Sequence, residues 1–217
     1  MAHPDDAEFT CAGTIASWIP LGTEVFYIVC TTGNKGTKDE NLSPHRLAET
    51  REREESAAAN VLGVKEVIFL RYNDGELETQ SSFSIQMSLL IRHFRPDLIM
   101  VHDAWRDYQI HPDHRAAGMG TMNGLIAARD HLYLPAQMVI GLRPHHTPQV
   151  YFFGSDNADH FVDIGDTIDK KIEALGQHHS QLDRIEGWQD RVRMWASKAG
   201  ERIGVEYAEG FKKLVLF

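Results

Sequence analysis

Two short motifs carry the side chains that could do chemistry: HPDD at residues 3–6 and HPDH at residues 111–114. Each places an acidic or imidazole group three residues after a histidine, across a proline that stiffens the turn. Imidazole and carboxylate are the ligand types of a catalytic zinc site, in which three protein ligands leave one position open for water. Together the two motifs predict a metal site of the hydrolytic kind.

The candidate ligands, more than one zinc ion needs, are His3, Asp6 and one or both of His111 and His114. The surplus has a use, because hydrolysis of an unactivated amide also requires a base for the attacking water and a donor for the oxyanion. Asp5 is a candidate base, since it neighbours a ligand but points elsewhere. A donating His111 is a candidate partner for the oxyanion.

A purely structural interpretation of each motif is a turn in which proline fixes the bend and aspartate caps the next helix. For one isolated HPDD, that interpretation is as good as the catalytic one. Two such motifs, each between a strand or the chain start and a small-residue helix, favour the metal site.

Strands that alternate with helices must position these motifs. Nearly continuous apolar or β-branched runs predict buried strands at residues 24–32, 64–70, 98–102 and 149–153. Apolar or small residues at helical spacing predict helices at residues 12–21, 43–62, 82–94, 115–130 and 166–181. The alternation predicts a single α/β domain over residues 1–217, with a mostly parallel, doubly wound sheet covered on both faces. Ligands of such sheets bind at the C-terminal ends of the strands, so the loops after the strands matter most.

The chain start is unusual for this fold, because HPDD follows Met1 and Ala2 with no strand before it. We hypothesise that the start is clipped or assigned at an internal methionine. Without a first strand, the side chains of His3, Asp5 and Asp6 would lose the platform that holds them.

Composition limits the class of protein and of partner. A hydrophobic content of 42 % with 24 % charged residues is ordinary for a globular protein. The net charge of −9 argues against nucleic acid or an anionic membrane and favours a small or neutral substrate. No apolar run approaches the length of a membrane span, and the two cysteines, Cys11 and Cys30, are too few for a disulfide scaffold. These features predict a cytoplasmic protein.

The motifs resemble one known family. AHPDDAEF near the start and HPDHRAAG at residues 111–118 resemble the paired signature of the LmbE-like, or PIG-L, family of zinc-dependent N-acetylglucosaminyl deacetylases. The resemblance continues through TTGNKGT at 31–37, YNDGEL at 72–77 and HHSQ at 178–181, and it covers essentially the whole chain. The paired signature is specific, whereas the other segments are individually weak and gain weight from their order.

The resemblance implies a role for each matching residue. It implies a zinc site with the ligands His3, Asp6 and His114. Asp5 matches the family's general base, and His111 matches the histidine that polarises the amide carbonyl. Asp113 would orient an imidazole from behind, and Arg51 matches an arginine that binds the sugar.

The implied activity is removal of an N-acetyl group from an N-acetylglucosamine-type amino sugar or conjugate, with one zinc per chain or another divalent ion. The implied fold is a Rossmann-like sheet without a dinucleotide, and a homo-oligomer is compatible with the family. Alternatives are cleavage of a larger sugar–thiol amide and a non-catalytic binder of sugars or metals. A nucleotide-binding module is disfavoured, because TTGNKGT contains only Gly33 and Gly36 where GxGxxG is required.

The sequence leaves the roles of four other histidines open. For His178 and His179, a helix-end position or an oligomer contact is at least as good an interpretation as catalysis. His145 and His146, in a proline-flanked loop, suggest either a lid element or no function. Glu8 is interpreted as a cap of the first helix.

Overall fold

The computed structural model describes residues 1–79 and 82–217, which form a mixed α/β fold. The strands are β1 (Phe26–Thr31), β2 (Glu66–Tyr72), β3 (Leu98–His102), β4 (Gln149–Phe153), β5 (His160–Asp163) and β6 (Ala208–Val215). The helices are α1 (Asp6–Thr10), α2 (Ala12–Trp18), α3 (Pro44–Leu62), α4 (Phe83–Phe94), α5 (Pro112–Ala128), α6 (Ala136–Val139), α7 (Ile168–Leu175), α8 (His179–Leu182) and α9 (Trp188–Gly200). Among the residues described, no helix is long and apolar enough to cross a membrane.

Helix α3 shows how local sequence sets the boundaries of an element. The Ser43 side chain accepts a hydrogen bond from the Arg46 backbone N–H, and Pro44 occupies the first turn, where its missing N–H costs nothing. Gly63 ends the helix in the left-handed conformation, with φ of 86°. This helix carries Arg51 and therefore matters for the site.

The described residues divide into two compact units. The first comprises Met1–Asp74 and His160–Gly210, and the second comprises Gly75–Asp159 and Phe211–Phe217. In the first unit β1 and β2 pair in parallel, with Phe26 opposite Glu66 and Val29 opposite Phe69. Its helices bury an apolar cluster that includes Ile164, Ile168, Leu175, Leu182, Val192 and Ala196.

The first two residues pair with β1. The Cys30 N–H donates to the Met1 carbonyl at 3.0 Å, and the Thr31 N–H donates to the Ala2 carbonyl at 2.8 Å. Ala2 is fully buried. His3 therefore follows directly from backbone that is hydrogen-bonded to β1, which supplies the support that the sequence analysis expected to be missing.

In the second unit β3 pairs with β4 in parallel, and β4 pairs with the last residues of β6 in antiparallel orientation. Helix α5 packs closely because it presents glycines where a Cβ would collide. A Cβ on Gly120 would come within 2.3 Å of the Phe83 ring, and one on Gly118 within 2.5 Å of the His102 carbonyl. The apolar cluster of this unit includes Ile91, Val101, Leu125, Ala128, Val150 and Phe152.

The four strands and the first four helices predicted from the sequence are confirmed with small changes at their ends. The helix predicted at 166–181 is instead α7 and α8, because α7 ends at Leu175 and Gly176 caps it before HHSQ. Helices α1, α6 and α9 and strands β5 and β6 were not predicted. Since β4 and β6 are antiparallel, a mostly parallel, doubly wound sheet is not confirmed; the single-domain organisation stays a prediction.

Arg92 is the largest fully buried side chain of the second unit and closes the C-terminal end of α5. Its guanidinium donates to the carbonyls of Ala127, Ala128, Asp130 and Tyr133 and to the side-chain oxygen of Gln137. These carbonyls lie at or beyond the end of α5, where the helix leaves carbonyls without partners of its own.

We expect Arg92→Met to lower the free energy of unfolding by about 3 kcal/mol or more, because several buried acceptors lose a charged donor. Urea unfolding followed by circular dichroism measures the change. Arg129→Met, which removes an exposed arginine at the same helix end, is the control and should be close to neutral. An equally small effect of Arg92→Met would contradict this role.

Candidate active site

In the first unit, the HPDD motif forms a tight turn at the start of α1. The His3 backbone N–H donates to the Asp6 carboxylate at 2.7 Å, and His3 Nδ1 lies 3.6 Å from the same oxygen. On its other side, His3 Nε2 lies 3.3 Å from Oδ1 of Asp74. All three residues are buried. An imidazole between two buried carboxylates is the kind of group that can hold a metal ion.

Asp5 is the strained residue of this turn. Its backbone is left-handed, with φ of 94° and ψ of −19°, a conformation that residues other than glycine seldom adopt. Its N–H donates to the Glu55 carboxylate at 2.9 Å, and its own carboxylate accepts from the Arg51 guanidinium at 3.1 Å. Both partners lie on α3, so one helix holds this turn through main chain and side chain.

Burial raises the pKa of Asp5 to about 6, and Asp6 adds to the rise, while the Arg51 guanidinium opposes it. A carboxyl with a pKa in this range stays largely ionised at neutral pH and is basic enough to take a proton from water. Environment thus makes Asp5 a better base than an exposed aspartate.

Arg51 is buried and points into the HPDD turn. Its guanidinium donates to the carbonyls of Pro4 and Gly33 as well as to Asp5. A Cβ on Gly33, which has φ of 59°, would come within 2.2 Å of the guanidinium, so glycine is required there. These contacts give Arg51 a role in holding Asp5, and its role in sugar binding stays a prediction.

In the second unit, three imidazoles stack near the start of α5. The His114 ring lies between those of His102 and His111, with centroid distances of 4.0 and 4.7 Å. His111 caps α5, and its Nδ1 accepts the backbone N–H of Asp113 at 3.2 Å. A neutral ring that accepts at Nδ1 carries its proton on Nε2. His111 is therefore set up as a hydrogen-bond donor through Nε2.

Asp113 is fully buried, and its two oxygens accept the backbone N–H groups of Gly75 and Leu77 at 2.6 and 3.0 Å. The carboxylate thus holds the end of the YNDGEL segment. A carboxylate oxygen of Asp113 also lies within 4.8 Å of a ring nitrogen of His111. Its predicted role in orienting an imidazole stays a prediction.

Several residues of these two groups were missed by sequence reasoning. Asp74 lies within YNDGEL, and His102 is the last residue of a buried strand, a position where ligands are common. Glu55 follows Arg51 by four residues, which places the two side chains on one face of α3. That spacing was a usable signal for Glu55, whereas only the fold brings Asp74 to His3.

A fully buried cluster, which we call the Glu–His cluster, consists of Glu8, Glu55 and His178. His178 Nε2 lies 3.3 Å from Glu8 Oε2 and 3.8 Å from Glu55 Oε2. Burial raises the pKa of Glu8 to about 7, although hydrogen bonds, including one from the Tyr27 hydroxyl, oppose the rise. Burial also raises the pKa of Glu55. Glu8 is therefore part of the interior and makes no helix-capping hydrogen bond in the structure.

Comparison with known proteins gives concordant matches. The PIG-L family, described as GlcNAc-PI de-N-acetylase, matches residues 1–125, which include both HPDD and HPDH. The chain is 34 % identical to diacetylchitobiose deacetylase of Thermococcus kodakarensis over 97 % of this chain and 79 % of that protein. It is 26 % identical to a probable N-acetyl-alpha-D-glucosaminyl L-malate deacetylase 2 of Bacillus anthracis, over 83 % of this chain and 78 % of that protein. Among solved structures, N,N'-diacetylchitobiose deacetylase from Pyrococcus horikoshii, complexed with its inhibitor MPG, matches with a TM-score of 0.93 at 34 % identity, covering 98 % of this chain and 81 % of that chain.

The raised pKa of Glu8 predicts how stability depends on pH. Folding takes up a proton at Glu8 between the ordinary pKa of 4.5 and the folded value of about 7, so the free energy of unfolding should fall as pH rises through this range. One such proton contributes a slope of up to about 1.4 kcal/mol per pH unit. Glu8→Gln should flatten the dependence. Thermal and urea unfolding in EDTA at several pH values measure it, with exposed Glu206→Gln as the control; an unchanged slope in Glu8→Gln would contradict the assignment.

Proposed function

The chain belongs to the PIG-L, or LmbE-like, family, described as GlcNAc-PI de-N-acetylase, and we propose that it is a zinc-dependent hydrolase that removes the N-acetyl group from an N-acetylglucosamine-type amino sugar or conjugate. The relatives named above are deacetylases of diacetylchitobiose and of an N-acetylglucosaminyl malate. The observation that carries the proposal is the half-buried, strained Asp5 beside His3 and Asp6, whose raised pKa suits a general base.

We propose His3, Asp6 and His114 as the metal ligands. Two imidazoles and one carboxylate are a donor set that suits zinc, and the burial of His3 and Asp6 together with the carboxylate partners of His3 supports it. When bound, the ion supplies Lewis-acid polarisation of the amide carbonyl and of a water molecule. Zinc is the proposed ion, and another divalent ion is the alternative.

The side chains of the chain itself perform the proton transfers in this proposal. The Asp5 carboxylate accepts the proton of the attacking water, while Arg51 holds that carboxylate in place. His111 donates from Nε2 to the oxygen of the amide carbonyl as negative charge develops on it. The proton then passes from Asp5 or His111 to the departing amine, so the products are acetate and a free amino sugar.

The same arrangement fits an amide with a larger group on either side, because these residues act on the carbonyl and not on its substituents. A non-catalytic binder of sugars or metals would not need a carboxyl of raised pKa such as Asp5. Nor would it need an imidazole such as His111, whose proton is held on Nε2. Both features therefore favour hydrolysis. We further propose that the enzyme is cytoplasmic and acts on a small amino sugar.

Metal analysis together with acetate release from N-acetylglucosamine, diacetylchitobiose and further conjugates tests the reaction. We expect roughly one zinc per chain and release of acetate that EDTA abolishes. Bound zinc without acetate from any of these substrates would favour a different amide or the binding role. Protein that takes up no divalent ion would overturn the proposal.

Two substitutions separate the base from the ligands. Asp5→Asn should lower kcat by roughly 100-fold or more while the zinc content stays unchanged, because the amide cannot accept the proton. His114→Ala should lose both zinc and turnover. Zinc content and steady-state kinetics measure the two effects, with exposed Asp190→Asn and His45→Ala as matched controls. Normal turnover in Asp5→Asn would exclude it as the base.

A further inference from the structure

The Glu–His cluster takes no part in the mechanism above, yet it lies directly behind the base. Its three side chains come from α1, α3 and the residue before α8, and none of them is exposed. Glu8 Oε2, Glu55 Oε1 and both ring nitrogens of His178 make no hydrogen bond. Among the residues that the structure describes, the His178 ring has only ion-pair contacts with Glu8 and Glu55. Buried polar atoms that make no hydrogen bond cost stability, so a group that retains several of them calls for an explanation other than stability.

Glu55 connects this cluster to Asp5. Its Oε2 accepts the Asp5 N–H at 2.9 Å and lies 3.8 Å from the His178 ring. A left-handed backbone at a residue other than glycine persists only where its surroundings hold it. Arg51, one turn earlier on α3, holds the Pro4 carbonyl and the Asp5 carboxylate from the same side. The helix thus fixes the strained residue at its N–H and at its side chain.

We propose that Glu55 is a positioning residue, which holds the Asp5 backbone in its left-handed conformation and so aims the Asp5 carboxylate, and that His178, which also contacts Glu8, holds Glu55 in place. The catalytic part of this inference rests on the proposed function, because it takes Asp5 as the base. The effect on Asp5 depends on the hydrogen bond from its N–H to Glu55 Oε2. The length of the Glu55 side chain therefore matters more than its charge.

Two variants separate length from charge. Glu55→Gln keeps the length and an oxygen that can accept the Asp5 N–H, whereas Glu55→Asp keeps the carboxyl group and withdraws the acceptor by one methylene. Glu54→Asp is the matched control, since the buried Glu54 on the same helix binds Ser180 and not Asp5. We expect Glu55→Asp to lose roughly 100-fold in kcat, with KM changed less than about threefold and zinc retained. The kcat of Glu55→Gln should be at least about tenfold higher than that of Glu55→Asp, and the kcat of Glu54→Asp should be close to that of the unmodified protein.

The Asp5 amide provides a readout that does not require turnover. In protein labelled with ¹⁵N-aspartate, hydrogen exchange of the Asp5 N–H should be roughly tenfold or more faster in Glu55→Asp than in Glu54→Asp, because the hydrogen bond is lost. If the unmodified protein released no acetate, the proposed function would fail while this measurement still tested the positioning.

Three outcomes would overturn the proposal. One is unchanged exchange and unchanged kcat in Glu55→Asp. Another is a greater loss in Glu55→Gln than in Glu55→Asp, which would assign the effect to charge. The third is an equal loss of kcat in Glu54→Asp, which would assign it to general stability. A variant that fails to fold is replaced by His178→Gln, for which loosened Asp5 exchange supports the proposal and unchanged exchange contradicts it.

Discussion

The left-handed turn at Asp5 is the constraint on which the chemistry of the first unit depends. It turns the chain from the backbone beside β1 into α1, so that His3 and Asp6 share a hydrogen bond while Asp5 faces Arg51. A residue other than glycine adopts this conformation only when several contacts determine it together. Helix α3 provides those contacts from one face, with Arg51 and Glu55 spaced by four residues.

Burial of like charges is the second constraint. Burial raises the pKa values of Asp5, Glu8 and Glu55, and the neighbouring carboxyls of Glu8 and Asp5 add to the rise at Glu55. Arg51 and His178 provide partial compensation. The same environment that weakens the stability of the fold at neutral pH gives Asp5 the raised pKa on which its proposed role as a base depends, and perturbed pKa values of this kind are common at active sites.

The second unit contributes imidazoles whose orientation depends on backbone groups. Glycine at position 118 lets α5 approach the His102 carbonyl, and the start of α5 fixes Nδ1 of His111 through the Asp113 N–H. Asp113 in turn binds two N–H groups at the end of YNDGEL. A side chain that is bonded to the main chain keeps its direction without help from flexible side chains, so these contacts fix the orientation of the His111 ring and of the Asp113 carboxylate.

The sequence by itself determined the family, the positions of HPDD and HPDH and the helices and strands that lie beside them, because ligand types, prolines, caps and apolar periodicity are local signals. It did not predict β6, since the sequence of that strand, AEGFKKLV, lacks a continuous apolar run and pairs with strands distant in the chain. Only the tertiary structure placed Asp74 beside His3 and assembled Glu8, Glu55 and His178 behind Asp5. The physical reason is that the burial and the pKa of these side chains depend on neighbours that are far apart in sequence, and the spacing of residues along the chain does not reveal those neighbours.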